Sequence, residues 1–239
     1  MFHGTKPGWV EVISGVMFAG KSEELIRRVK RSIIARNTVQ VFKSHLDDRY
    51  GGVFTVSSHD GTLVEAEPVS TSLEIMEKIR PDTHVVAVDE AQFLDAGIVN
   101  VANSLANRGV RVILAGTDSD FRGEGFGAMP QLMAAAEIVD KMYAICVVCG
   151  GPATRNQRLI GLDPGSRTIG VALSDVGLSL ASPYGAIKRG KMRDNAAEIA
   201  AIARKEDAGG LVVGLPLSMD GSIGPAAQSA SDWALALSE

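Results

Sequence analysis

Val10-Glu11-Val12-Ile13-Ser14-Gly15-Val16-Met17-Phe18-Ala19-Gly20-Lys21-Ser22 joins an apolar, β-type run to G-x-x-x-x-G-K-S and leads into a helical pattern. A phosphate-binding loop needs that context: a strand ending in a glycine turn, then a helix whose first turn faces an anion. Gly15 and Gly20 permit the tight turn that points backbone N–H groups inward. Lys21 can reach the β- and γ-phosphates of a nucleotide, and the Ser22 hydroxyl can ligate Mg²⁺. The spacing predicts a helix over 23–36, with the positive end of its dipole on the same anion. An ordinary glycine-rich turn would require neither flank.

Outward from this loop the chain keeps a strand-helix-strand rhythm. Residues 38–43 read as a strand, 47–52 as a polar turn, and 72–79 as a short helix stopped by Pro81. His84-Val85-Val86-Ala87-Val88 is a continuous apolar run, as expected of a strand buried on both faces. A helix over 95–107, a stop at Gly109 and a strand over 110–115 follow. The rhythm predicts an α/β fold of the P-loop NTPase kind, a parallel sheet with helices on both faces. Ligands of such sheets bind beyond the carboxyl ends of the strands, where both the phosphate loop and Asp89-Glu90 fall.

Composition narrows the class. The chain has 239 residues, 46% hydrophobic and 22% charged, with a formal net charge of −4, which describes a soluble globular chain of one large or two modest domains. No apolar run is long enough to span a bilayer and no basic-then-apolar leader opens the chain, so the expected location is the cytoplasm, with no membrane partner. The two cysteines, Cys146 and Cys149, do not make a secreted disulfide scaffold. The slightly acidic balance argues against a nucleic-acid partner, and Arg27, Arg28, Lys30 and Arg31 read as the solvated face of the first helix.

Asp89, closing a buried strand, suits the acidic group that holds the Mg²⁺ of a phosphate-loop enzyme. Glu90 beside it offers a carboxylate for a different task. A hydroxyl attacking a γ-phosphorus must lose its proton, and a carboxylate within hydrogen-bond reach can take it.

Here the residues resemble a known family. The loop with Met17-Phe18, Asp47-Asp48-Arg49-Tyr50, Ser58-His59-Asp60, Asp89-Glu90-Ala91-Gln92-Phe93, the run from Asp120 to Gly127, and Ile145-Cys146-Val147-Val148-Cys149-Gly150 look like a type II thymidine kinase from residue 8 to about 160. The resemblance implies ATP held by Gly15, Val16, Met17, Phe18, Ala19, Gly20, Lys21 and Ser22, with Asp89, Glu90, Ala91 and Gln92. It implies Mg²⁺ served by Ser22 and Asp89, and Glu90 as the catalytic proton acceptor. Phe93, Phe121 and Phe126 would wall the thymine pocket, with Asp47 and Arg49 near the phosphates and the substrate. The partners implied are ATP and thymidine, in a homo-oligomer that is a tetramer in that family.

The chain also departs from the pattern. Ala19 stands where Ser is frequent, Thr117 where an apolar residue is usual and Gly125 where Pro is common. The loop that closes over thymidine and the second pair of zinc ligands are missing, so Cys146 and Cys149 are half of a tetrahedral Zn²⁺ site.

From Arg158 onward the chain resembles the first part of a YqgF-type, ribonuclease-H-like nuclease, through the run from Arg158 to Asp175 and Val213-Gly214-Leu215-Pro216-Leu217-Ser218-Met219-Asp220-Gly221-Ser222. Residues 159–163 and 168–174 predict an antiparallel hairpin, 193–205 a helix, 211–214 a strand and 225–239 the start of another helix. Asp163 would be the first metal-binding carboxylate. Ile223 replaces an acidic residue usual in the nearby turn, and a later strand with its own acidic residue is missing, while two-metal hydrolysis needs several convergent carboxylates.

The expectation is therefore a fusion through a short shared segment, with a kinase-like P-loop domain over 1–158 and an incomplete ribonuclease-H-like α/β half-domain over 159–239. The function expected is phosphorylation of thymidine at its 5′-hydroxyl to give dTMP, weakened by loss of the lid. The alternatives are a nuclease acting on structured nucleic acid and a non-catalytic nucleotide-binding remnant.

Overall fold

The computed structural model describes residues 8–44, 55–57, 63–146, 149–174 and 181–238. Asp47 and Arg49, with the rest of the 47–50 turn and Ser58-His59-Asp60, lie outside the described residues. The chain divides into two compact units, Met1–Arg155 and Asn156–Glu239.

The first unit runs β1 (Trp9–Gly15), α1 (Lys21–Ile34), β2 (Val39–Ser44), β3 (Thr55–Ser57), β4 (Leu63–Glu65), β5 (Glu67–Val69), α2 (Ser72–Lys78), β6 (Val85–Asp89), a 3₁₀ turn (Ala91–Phe93), α3 (Ile98–Asn107), β7 (Arg111–Thr117), α4 (Met129–Ala135), β8 (Ile138–Met142), β9 (Ala144–Ile145) and β10 (Pro152–Ala153). Six of these strands form one sheet in the order β5-β2-β6-β7-β1-β8, with every neighbouring pair parallel. Successive residues of a strand alternate between faces. Val85 and Ala87 accordingly join Leu25, Ile26 and Val29 of α1 on one side. Val86 and Val88 join Ile75 of α2, Ile98 and Leu105 of α3 and Met129 of α4 on the other. Helices thus cover both faces, which is why β6 and β7 read as continuous apolar runs rather than alternating ones. Because all six strands run the same way, Gly15, Asp89 and Thr117 arrive together at the carboxyl end of the sheet.

One expectation is corrected. Arg27, Lys30 and Arg31 are exposed, but Arg28 is buried. It falls on the stripe of α1 shared by Leu25 and Ser32, one turn away on either side, and that stripe faces the sheet. Its guanidinium reaches Glu11 Oε2 at 2.7 Å, Glu24 Oε1 at 2.8 Å and the Asp140 carboxylate, while Arg111 closes on Glu11 from the other side at 2.6 Å. Burial pushes the Glu11 carboxyl up, and hydrogen bonds from Arg111, Trp9 and Arg28 outweigh that, holding it below its ordinary value.

The second unit consists of β11 (Arg158–Pro164), β12 (Thr168–Ser174), β13 (Ala181–Lys188), α5 (Met192–Lys205), β14 (Ala208–Val213) and α6 (Pro225–Ser238). Its sheet has the order β13-β12-β11-β14, with β11-β12 and β12-β13 antiparallel and β14 parallel to β11. Ile160, Leu162, Ile169, Val171 and Ile187 pack with Ile199 of α5 and Trp233 of α6 into a core of their own. The hairpin expected of residues 159–174 is present, and α6 is a full helix of 14 residues. Among the described residues β14 ends the sheet, leaving Leu211 and Val212 about half exposed.

Candidate active site

The loop between β1 and α1 is built as its glycines require. Gly15 has φ 148°, and a Cβ there would lie 2.3 Å from the Met142 carbonyl oxygen of the neighbouring β8. Gly20 precedes α1 in the left-handed region (φ 81°, ψ 19°), and so does Phe18 (φ 61°), a non-glycine residue whose ring is exposed. Lys21 is buried, with Nζ donating to the Val16 carbonyl at 2.8 Å, so the ammonium is held across the mouth of the loop. The first-turn N–H groups of α1 point at the same space.

Across this space stands Asp89. The Ser22 hydroxyl lies 3.2 Å from its Oδ2 and 3.4 Å from its Oδ1, which joins the start of α1 to the end of β6 across β7. Asp89 is 4% exposed. Burial pushes its carboxyl up to about 6 and the charge of Glu90 adds to this, while Lys43 and the Ser22 hydrogen bond act the other way. A hydroxyl and a buried carboxylate make an all-oxygen donor set suited to a hard divalent cation. Sequence reading missed Lys43, a buried cation on β2 that is the register partner of Asp89. Nothing in the sequence says which strand lies beside β6.

Glu90 follows in the left-handed region (φ 54°, ψ 42°), a conformation that costs a non-glycine residue on the order of 1–3 kcal/mol. The 3₁₀ turn after it closes with Phe93 N–H donating to the Glu90 carbonyl at 3.1 Å. Ala91 is wholly buried, and Gln92, also buried, donates from Nε2 to Glu90 Oε2 and accepts from the Thr117 N–H at 3.0 Å.

Two of the three phenylalanines meet. Phe93 and Phe126 are edge to face, with ring centroids 5.5 Å apart and an interplanar angle of 88°. Phe121 instead carries the Arg122 guanidinium over its ring at 5.6 Å. The loop bearing Phe121 and Phe126 is shaped by Asp120, whose Oδ1 accepts from the N–H groups of Arg122 at 2.9 Å and Glu124 at 3.1 Å. Asp118, at the exit of β7, is another buried carboxylate, one that sequence reading passed over. Its Oδ2 lies 3.0 Å from Lys141 Nζ as an ion pair without a directed hydrogen bond. The departures at 117 and 125 are accommodated: the Thr117 hydroxyl donates to Met17 Sδ at 3.7 Å, and any Cβ at Gly125 would fall 2.4 Å from Pro130 Cγ.

Around Cys146 and Cys149, the Gly150 N–H donates to the Cys146 carbonyl at 2.8 Å and the Cys146 N–H to the Gly151 carbonyl at 2.9 Å. Cys146 is half-buried and Cys149 exposed. Among the described residues no three His, Cys, Asp or Glu side chains are gathered to hold a metal ion, so two thiols fall short of a tetrahedral zinc set. The same finding bears on Asp163, which is exposed at the end of β11 with its carbonyl accepting from Gly165 N–H at 2.9 Å. Among the described residues, too, no helix is long and apolar enough to cross a membrane.

Residues 8–174 match the family model for thymidine kinase. The chain belongs to the thymidine kinase family. Residues 157–239 match a second family model, that of the Holliday junction resolvase RuvX, so that 157–174 lie in both matches. The kinase match thus runs through β11 and β12, into the second unit. Among solved structures, the flagellar accessory protein FlaH from Methanocaldococcus jannaschii is 12% identical over 78% of this chain and 87% of its own, with a TM-score of 0.41. A second solved structure, the ATPase domain of another protein, is 11% identical over 79% of this chain and 83% of its own, with a TM-score of 0.42.

Proposed function

We propose that this thymidine kinase family member transfers the γ-phosphoryl group of ATP to the 5′-hydroxyl of thymidine, giving dTMP and ADP. The observation that carries the reading is the meeting of Ser22 with Asp89 at 3.2 Å, beside a buried Lys21 and directly before Glu90 in the chain. The backbone from Gly15 to Ser22 cradles the phosphates, and Lys21 moves from the Val16 carbonyl to the β- and γ-oxygens. Ser22 and Asp89 would hold Mg²⁺, which when bound neutralises charge on those oxygens. Glu90 accepts the proton of the 5′-hydroxyl. Phe93 and Phe126, with Phe121 on the same loop as Phe126, supply apolar walls for a flat base, and Asp47 and Arg49 are assigned to the substrate side by family resemblance. Turnover is low, because a lid that orients the hydroxyl and excludes water is missing. The chain is a homo-oligomer, as its family resemblance implies.

Phosphoryl transfer from labelled ATP to thymidine tests the proposal. Lys21→Ala should abolish ATP binding in calorimetry. Glu90→Gln should keep ATP affinity while lowering turnover by about 10²-fold or more, since it removes basicity and little volume. Unchanged ATP affinity in Lys21→Ala would remove the phosphate-loop assignment. ATP binding without transfer to any nucleoside would leave a nucleotide-binding remnant. The RuvX match supports nuclease activity as the second reading. Metal-dependent cleavage of branched DNA that is lost in Asp163→Asn would establish it.

A further inference from the structure

The β6–β7 ladder ends at Val88 and Leu114, yet β7 continues to Thr117 along β1. Beyond that end the Thr117 N–H has no strand to bond on the β6 side, and Gln92, in the turn just after β6, takes it with Oε1 at 3.0 Å. The other end of the same amide donates to Glu90 Oε2. Its orientation is fixed by chemistry: a backbone N–H can only donate, so the amide oxygen faces Thr117 and the nitrogen faces Glu90. The space for it is made by two glycines. A Cβ on Gly116 would stand 2.7 Å from Gln92 Oε1, and one on Gly127 would stand 2.2 Å from the Gln92 carbonyl oxygen. Gln92 is 4% exposed, so both polar ends are committed inside the protein.

We propose that Gln92 is a positioning residue, a tether that fixes the Glu90 carboxylate to the end of β7, rather than a contact to ATP. Glu90 sits on a left-handed backbone at a loop start. One amide clamped at both ends selects the rotamer before substrate arrives, and proton acceptance is sensitive to that geometry. The proposal rests on the reading of Glu90 as proton acceptor.

Two substitutions test it in the full chain, alone and combined with Glu90→Gln: Gln92→Leu, which removes both bonds, and Gln92→Glu, which keeps the acceptor for Thr117 but opposes Glu90 with a like charge. Calorimetry with ATP should give affinities within about twofold of the parent, while kcat for thymidine falls about ten- to a hundredfold in both single variants with little change in KM. Gln92→Leu added to Glu90→Gln should slow the enzyme no further, because the tether then has no base to place. Amide hydrogen exchange at Thr117 should speed up at least about tenfold in Gln92→Leu and stay near the parent rate in Gln92→Glu. A tenfold loss of ATP affinity, a full further drop in the double variant, or unchanged Thr117 exchange in Gln92→Leu would each overturn the proposal. Should the parent prove inactive on thymidine, the kinase reading fails, and exchange at Thr117 still decides the tether.

Discussion

A buried carboxylate, Asp89, gives the site a pH dependence. Asp89 has its folded value pushed from 3.8 to about 6, so folding favours its neutral form. The stability associated with that form is complete below pH 4 and is lost as the pH climbs through about 6, which amounts to on the order of 3 kcal/mol at pH 8. Asp89→Asn should therefore stabilise the metal-free protein at pH 8 and leave it unchanged at pH 4, read from hydrogen exchange of the β6 and β7 amides. Equal stability at both values would mean that Asp89 ionises in the folded state without penalty. Lys21, Ser22, Asp89 and Glu90 were legible in the sequence, because the phosphate-loop pattern and the end of an apolar run mark them along the chain. The Lys43 charge beside Asp89 and the two-ended amide of Gln92 were not, since both depend on which strands lie side by side and in what register.

Among the elements, strands buried on both faces announced themselves. The runs that became β6 and β7 have few other ways to hide their side chains. Elements with mixed environments stayed silent. β8 carries Asp140 and Lys141 and is largely exposed at the sheet edge, β13 includes Pro183 and Gly185, and α4 is one short helix of 7 residues with Pro130 in its first turn. Burial of Arg28 was illegible for a related reason: a cation on a polar-looking helix face reads as solvated until a carboxylate from another element, here Glu11 of β1, is known to meet it. Arg28→Ala leaves Glu11 to Arg111 and Trp9 and strips a buried partner from the β1–α1–β8 corner. It should cost about 3 kcal/mol, against little for Arg27→Ala on the exposed side. Thermal unfolding of the two variants makes the comparison, and equal losses would show that the buried network contributes nothing of its own.

At the scale of the whole molecule, two units with separate cores share one chain. The six-stranded sheet is covered on both faces. The second unit, 84 residues long by its bounds of Asn156–Glu239, leaves β14 as an open edge among the described residues, followed by the exposed Leu215, Leu217 and Met219. Small sheets with open edges are marginal. A dilute protease should therefore cut the second unit first and leave a fragment ending near residue 160 by mass spectrometry, while uniform resistance across 159–239 would contradict this. The two-part organisation could be read from the change in motif vocabulary near residue 158, whereas the division before Asn156 depends on the packing of the strand that follows.

The hairpin of β11 and β12 has a practical side for anyone cloning the kinase unit. A fragment that stops where the family match stops, at residue 174, carries two strands whose apolar residues Ile160, Leu162, Ile169, Val171 and Leu173 were covered by α5 and α6 and would now face water. An orphan hairpin of that kind is sticky. A fragment ending at Arg155 should run as a sharp peak on size exclusion and the longer one should smear or precipitate, so on this chain a safer vector boundary comes from the strand map than from the sequence match.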